Sequence, residues 1–393
     1  MYKLKCVTCQ KEYKVEPGRY LCDECDSIHG TLEVIYDLDK INLKKDFDPN
    51  GSLFQFDKLL PTKSHTVIDE HIGGSPLINY GNKFGYNHFM IKFDGMNMSA
   101  SYKDRASIIA INKAIEEGNK HIFCASTGNA ASSLALLNAH TDIETSIFVP
   151  ASIPEGKLAQ LLAAGANIYP IQASYDEVFD LSLSIGLKKG WYTRHSAVNP
   201  YLLEGKKTGA FEIIVQNNYI APDYVFVGVG DGTIISALCK GFDEFYKLGL
   251  MDKLPKVIGV QAKGSSTLKK VFESGQIITE NVHTIADSIS VGNPRDVIKA
   301  CKYLKANGGY FIEVSDDEIV EAIGLMARET GVFAEPAGAV TLAGLLKSGI
   351  DKSQSICLVV TGNGLKDTSN IKIADVKTYT KAEVKRLFEE DNS

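Results

Sequence analysis

Short apolar runs alternate with longer stretches of helical period through most of the chain. Tyr-Val-Phe-Val-Gly-Val at 224–229 and Ser-Ile-Cys-Leu-Val-Val at 355–360 have almost no polar positions. Runs of that kind read as strands covered on both faces, as in a parallel sheet. The pattern predicts strands over 121–124, 146–149, 167–170, 224–229, 256–261 and 355–360. Apolar residues recur at three- and four-residue spacing between and after them. They predict helices over 130–139, 155–164, 175–189, 205–216, 234–247, 316–330 and 337–347. Strands alternating with helices imply an α/β fold built on open, mostly parallel sheets covered by helices. A further strand is expected over 31–36, and the polar stretch 37–52, with Asp48-Pro49-Asn50-Gly51, reads as a loop. The segment after Thr378 is charged and reads as a short exposed helix.

Length and composition narrow the class. A chain of 393 residues, 44% hydrophobic and 23% charged, can bury two domain cores and carry a small appendage. Its net charge of -6 disfavours partners bound by counterion release, such as DNA or RNA, and a polybasic membrane anchor. No apolar run approaches the roughly 18 residues of a spanning helix. The start, Met1-Tyr2-Lys3-Leu4-Lys5-Cys6, has no signal-peptide character. A cytoplasmic location is expected.

The cysteines fall into two groups. Cys6, Cys9, Cys22 and Cys25 form CxxC–x12–CxxC, the spacing of a tetrahedral zinc knuckle. Two disulfides or metal-free thiols are the alternatives, and a reducing compartment disfavours the first. About 25 residues also need a staple in order to fold. Four thiolates leave no position for water, so the metal is structural. Cys124, Cys239, Cys301 and Cys357 sit in apolar segments and read as core residues.

Four polar loops fall at or near strand ends, where open α/β sheets collect their ligands. Ser101-Tyr102-Lys103-Asp104-Arg105 precedes an apolar helix starting near Ala106. A lysine there opposes the helix dipole unless a covalent cofactor takes up its charge, and on this motif alone an ordinary solvated lysine is the stronger reading. Ser126-Thr127-Gly128-Asn129 joins a strand to a helix, as an anion site or an ordinary N-cap. Gly228-Val229-Gly230-Asp231-Gly232-Thr233 lets backbone N–H groups approach a phosphate, and it has neither Walker A nor GxGxxG spacing. Thr361-Gly362-Asn363-Gly364-Leu365-Lys366-Asp367 puts a hydroxyl at a strand end, or is a plain turn.

Taken together, these loops resemble the threonine synthase branch of the fold-type-II pyridoxal-phosphate (PLP) enzymes, the tryptophan synthase β superfamily. The resemblance runs from about Gly74 to Asp367, and many threonine synthases also carry the N-terminal ribbon. Gly74-Ser75-Pro76-Leu77, 101–105, 125–130, Pro154-Glu155-Gly156-Lys157 with Gln160, and Leu203-Glu204-Gly205-Lys206-Lys207-Thr208 carry it. So do Val314-Ser315-Asp316, Glu335-Pro336-Ala337 and 361–367, in matching order and spacing. The implied organisation is a zinc ribbon over 1–35, a PLP-binding catalytic region over 36–378 and a charged tail over 379–393. Within the catalytic region a smaller subdomain spans about 95–195, and the remainder makes a larger one.

The resemblance implies that Lys103 carries PLP as a Schiff base and later acts as the base at the substrate Cα. Asn129 would meet the ring's phenolic oxygen, Gly230, Asp231, Gly232 and Thr233 the cofactor phosphate, and Thr361 the pyridine nitrogen. A neutral hydroxyl at that nitrogen weakens the electron sink and favours expulsion of a leaving group. Ser126 and Thr127 would bind the substrate carboxylate or phosphate. PLP supplies the electronics and the protein the placement. A homodimer is usual for this family.

Three departures bear on the substrate. The family shows Asn-Ser a few residues before Arg-Leu-Glu-Gly-Gln-Lys-Thr, and the Asn, Ser and Arg hold the phosphate of O-phosphohomoserine. Here Ser196, Ala197 and Leu202 occupy those places, with Arg194, His195 or Lys206 as substitutes nearby. Asn-Pro-Thr-Gly before the lysine motif becomes Asn97-Met98-Ser99-Ala100, with Tyr102 for Phe. Asp231 stands where Asn is common, and is expected to turn outward or toward a lysine.

The expected activity is elimination or replacement on a small α-amino acid with a β- or γ-leaving group. Leu202 tilts it toward a sibling of threonine synthase, such as β-replacement on an O-activated serine. The alternative is conversion of O-phosphohomoserine and water to threonine and phosphate, followed by serine or threonine deamination or a non-catalytic PLP scaffold. A nucleic-acid-binding ribbon is disfavoured by its balanced charge, Lys3, Lys5, Lys11, Lys14 and Arg19 against Glu12, Glu16, Asp23, Glu24 and Asp26. The histidines lack HxxH or HExxH spacing, and only His195 lies near the altered substrate region.

Overall fold

The computed structural model describes residues 2–153, 155–369 and 377–389. Pro154 of the related motif, residues 370–376 of the catalytic region and residues 390–393 of the tail lie outside them. The N-terminal module is a three-stranded antiparallel sheet, β1 (Tyr2–Cys6), β2 (Glu12–Tyr13) and β3 (Leu32–Tyr36), in the order β2-β1-β3. A hairpin follows, β4 (Leu77–Lys83) and β5 (Tyr86–Phe93), then α1 (Asp104–Glu116).

Next come β6 (His121–Ala125), α2 (Asn129–Asn138), β7 (Glu144–Pro150), α3 (Glu155–Ala163), β8 (Asn167–Ile171), α4 (Tyr175–Lys188) and β9 (Tyr192–Thr193). Their strands form a four-stranded parallel sheet ordered β8-β7-β6-β9. The chain continues through α5 (Tyr201–Gln216), β10 (Tyr224–Gly228), α6 (Thr233–Lys247), β11 (Lys256–Ala262), α7 (Thr267–Ser274), α8 (Val297–Asn307), β12 (Tyr310–Val314), α9 (Asp316–Thr330), α10 (Pro336–Lys347) and β13 (Ser355–Val360). A six-stranded sheet ordered β12-β11-β10-β13-β5-β4 results, parallel except for its β4–β5 edge. The exposed helix α11 (Lys381–Glu389) closes the described chain.

The unbroken apolar runs follow from burial on both sides. Val225, Val227, Val257, Cys357 and Val359 share a core with Phe211, Leu238 and Phe242 of α5 and α6. Phe226, Ile258, Val260, Ile356 and Leu358 point the other way, against Ile319, Ile323, Val340 and Leu342 of α9 and α10. The fold is an α/β arrangement of parallel-rich sheets with a small N-terminal module. Local signals fix several boundaries. Ser174–Glu177 and Ser315–Glu318 form capping boxes that start α4 and α9. No helix among the described residues is long and apolar enough to cross a membrane.

Four of the elements depart from the periodicity. β4 and β12 lie at sheet edges, where half-exposed polar positions interrupt the apolar pattern. β5 ends in Lys-Phe, and its buried Lys92 is tolerated because Glu212 pairs with it at 2.6 Å. The helix expected from 205 starts four residues earlier, directly after Pro200.

Candidate active site

The loops after β6 and β10, the segment before α1 and the segment before α5 converge on a cavity of about 710 Å³ between the two parallel sheets. Lys103 lies in its wall, together with Ser126, Thr127, Asn129, Arg194, Ser196, Lys206 and the stretch from Gly228 to Thr233.

Lys103 is anchored from both sides. Ser101 bridges to Gly362, and the Tyr102 N–H donates to the Thr361 carbonyl at 2.8 Å, tying the segment to the end of β13. Tyr102 is buried, and its hydroxyl donates to the Lys206 carbonyl at 2.6 Å. A side chain at Gly209 would collide with that hydroxyl, which explains the glycine in α5. Asp104 accepts the Ser99 N–H at 2.7 Å. The Lys103 amine makes no hydrogen bond among the described residues. Burial, then the Arg194 guanidinium, pull it below the ordinary lysine range, toward the free base that an imine requires.

Behind it sits a charge network absent from our reading of the sequence. The Arg105 guanidinium donates to both oxygens of Asp94 at 2.6 and 2.9 Å and to both oxygens of Glu212 at 2.5 and 2.7 Å. Lys92 completes the cluster through Glu212, and all four residues are buried. The cluster clamps the start of α1 to α5 and β5, so the backbone carrying Lys103 is held by paired buried charges. Only the adjacency of Asp104-Arg105 to the lysine hinted at it.

Two helix starts face the cavity without side-chain caps. Gly128 caps α2 and Gly232, at φ +95°, caps α6, and neither helix has a capping side chain. Ser126 Oγ instead accepts the Gly128 N–H at 3.2 Å, so the N-cap alternative for this loop does not hold. A Cβ on Gly230 would come within 2.9 Å of the Ile289 backbone, so a glycine is required where the loop folds into the wall. Free N–H groups, the positive end of α6 and that close backbone approach fit a phosphate monoester. With Lys103 in the same cavity, the donor set fits PLP.

The remaining expected residues divide. Asn129 Nδ2 donates to both Glu335 oxygens, at 3.1 and 2.8 Å, and Glu335 is buried with its carboxyl raised by that burial. Thr361 is buried at the end of β13 and is not among the residues lining the cavity, although its carbonyl holds Tyr102. Asp231 does not turn outward: its carboxylate accepts the Arg295 N–H at 2.6 Å inside the wall. Ser196 Oγ accepts from Arg194 at 2.9 Å.

Arg194, His195 and Lys206 are the side chains that residue patterns alone left undecided. Arg194 is buried, donates to Ser107 and Ser196 hydroxyls and to the Lys103 carbonyl, and has no carboxylate partner among the described residues. Leu202 is fully buried in the core and does not line the cavity. His195 reaches the wall as a neutral ring. Its Nε2 accepts the Ala125 N–H at 3.1 Å, and burial followed by Arg194 pushes it down to about 3. It supports the end of β6.

In the N-terminal module the four sulfurs of Cys6, Cys9, Cys22 and Cys25 lie within 4.8 Å of one another. Cys6–Cys25 and Cys9–Cys22 are 3.9 and 3.6 Å apart, too far for disulfides. Bonds of about 2.3 Å to a tetrahedral zinc put sulfurs roughly 3.8 Å apart, which this set fits.

Comparison with known proteins agrees with this geometry. Residues 68–362 match the family described as pyridoxal-phosphate dependent enzyme. The threonine synthase of Methanosarcina acetivorans is 36% identical over 403 aligned positions, covering 99% of this chain and 98% of the relative. That of Methanocaldococcus jannaschii is 37% identical, covering 92% of each. Among solved structures, O-ureido-L-serine synthase superposes with a TM-score of 0.66 at 14% identity, covering 80% of this chain and 97% of the other. A fungal L-serine ammonia-lyase from Rhizomucor miehei gives 0.65 at 19% identity, covering 74% and 93%. These two likenesses concern the fold alone.

Proposed function

The chain belongs to the pyridoxal-phosphate-dependent enzyme family as a threonine synthase-like lyase, and from that premise we propose that it expels phosphate from a small α-amino acid phosphorylated on its β- or γ-oxygen. The observation that carries this reading is Arg194, a buried guanidinium with no carboxylate partner among the described residues, beside Lys103 and Ser196.

PLP supplies an electron sink for negative charge at the substrate Cα. In our reading the Lys103 amine holds the cofactor and then moves the Cα proton. Asn129 faces the phenolic oxygen, the N–H groups of 230–233 hold the cofactor phosphate, and Thr361 remains the proposed partner of the ring nitrogen. The open start of α2, with Ser126 and Thr127, receives the substrate carboxylate. Arg194 and Ser196 receive the leaving phosphate, in place of an arginine at position 202. The subdomain limits drawn from the sequence and a structural zinc on Cys6, Cys9, Cys22 and Cys25 belong to the same proposal.

A substrate panel of O-phosphohomoserine, O-phosphoserine, serine and threonine, scored for phosphate and ammonia, tests it. Phosphate is expected from at least one phosphorylated substrate, with little ammonia from serine or threonine. Turnover of O-phosphohomoserine to threonine marks the authentic reaction; turnover of O-phosphoserine alone marks the sibling that Ala197 and Leu202 favour. Each charge-assisted hydrogen bond contributes about 1.5–3 kcal/mol. Arg194→Gln should therefore raise KM for the phosphorylated substrate by roughly 10- to 100-fold. It should also move the rising limb of the pH profile upward, because a positive charge that depresses the Lys103 amine is gone. Ammonia from serine at a rate indifferent to Arg194 would sink the reading.

For the ribbon, metal analysis of purified protein should give about one zinc per chain. Cys9→Ser with Cys22→Ser should abolish it and lower the unfolding temperature, since β3 is docked on α6 through the Lys240 ammonium and the Val34 carbonyl at 2.5 Å. A metal-free protein of unchanged stability contradicts the assignment.

A further inference from the structure

Lys206 is a buried lysine with no counter-ion among the described residues. It projects from α5 into the cavity wall, and its Nζ donates to Thr233 Oγ1 at 2.6 Å, its one side-chain hydrogen bond. Thr233 is the first residue of α6, immediately after the left-handed Gly232, so the ammonium stands at the glycine-rich loop itself. No ion pair to Lys206 exists among the described residues, and its side chain is 1% exposed. Burial, then Lys103 and Arg194, pull the amine well below the ordinary lysine range. A buried cation of this kind is costly unless an anion meets it. The nearby anions do not fill that role. Asp231 and Asp296 act on it only through space, the Asp231 carboxylate being held by the Arg295 N–H and Asp296 being paired with Lys299 at 3.0 Å.

We propose that Lys206 is the counter-ion of the cofactor phosphate, and that it offsets the negative charge which Asp231 brings to the same loop. This assignment rests on the PLP reading above. A phosphate dianion cradled by the N–H groups of 230–233 meets the lysine through the edge of the loop that Thr233 marks. It also relieves the crowding of three basic side chains, Lys103, Arg194 and Lys206, around one cavity. Asp231 is the repulsive element in the loop, and Lys206 is the charge that makes it tolerable. The ligand chemistry is a phosphate monoester, which could belong to the cofactor or to the substrate; the position beside Thr233, across from the open start of α2, assigns it to the cofactor.

Titrating cofactor-free protein with PLP, followed by absorbance without substrate, separates these possibilities. Lys206→Gln should weaken PLP by about 10- to 100-fold, the loss of one buried charge-assisted hydrogen bond. Asp231→Asn, which keeps the lysine, should bind PLP at least as tightly as the parent. The double variant should recover most of the loss, because the two charges are coupled. If Lys206→Gln binds PLP normally and only raises KM for a phosphorylated substrate, the cation serves the substrate phosphate and the proposal is wrong. If Asp231→Asn loosens PLP, or the double variant is as poor as Lys206→Gln, the pairing is wrong. Absence of PLP binding by the parent protein would overturn the enzyme reading instead, so the two failures are distinguishable.

Discussion

Lys103→Ala should cut turnover by about a thousandfold or more while leaving the cofactor-free fold intact. Two consequences combine in one residue. The variant loses the covalent attachment of PLP and the base at the Cα, and a positioned general base alone contributes about 10²–10⁴-fold. The fold should survive because the Lys103 amine makes no hydrogen bond among the described residues and its charged form is disfavoured by burial and by Arg194. Added methylamine should restore a fraction of the Cα proton loss without restoring the attachment. A Lys103→Ala protein retaining parental kcat contradicts the role outright.

Arg105 should matter as much to stability as Lys103 does to chemistry. Arg105→Met leaves Asp94 and Glu212 facing each other's charge in a core from which water is excluded. Breaking a buried pair by removing one partner costs about 3–5 kcal/mol, a large share of the roughly 5–15 kcal/mol that holds a domain together. Denaturant unfolding should show the midpoint fall accordingly. The sign of the pH dependence follows from the same cluster. Burial alone would raise the Glu212 carboxyl, but Arg105 and Lys92 outweigh it and hold it below the ordinary carboxylate range. Its contribution is therefore present above the unfolded-state value, and is lost as pH falls through the lower folded one. In Arg105→Met that acid-limb loss should begin at higher pH. A midpoint within about 0.5 kcal/mol of the parent, the usual span for a surface change, would show that the cluster is not what holds Lys103 in place.

The elements legible in the sequence were those whose physics is local. Val225–Val227 and Ile356–Val360 read as strands because both faces are buried, and the cysteine spacing brought four sulfurs together as the ribbon requires. The lysine, glycine and asparagine loops were legible as short motifs at strand ends, and they line one cavity. What stayed hidden depended on partners distant in sequence. Nothing in the local pattern around Lys92 points to its burial, because its partner Glu212 lies 120 positions away. Arg194 and Lys206 were candidates with no direction, because the side of the helix or loop they occupy depends on how α5 packs on α1. Glu335 read as part of a matching motif, yet its carboxylate is what Asn129 touches. Thr361 was expected beside the ring nitrogen; it is buried just after β13, its carbonyl accepts the Tyr102 N–H, and it is not among the residues lining the cavity.

Borohydride reduction of PLP-loaded protein, followed by peptide mapping, tests the covalent attachment most directly. A pyridoxyl group on the peptide containing Lys103, and its disappearance in Lys103→Ala, is the predicted result. Stable label on another lysine, or none at all in protein that binds PLP, would contradict it.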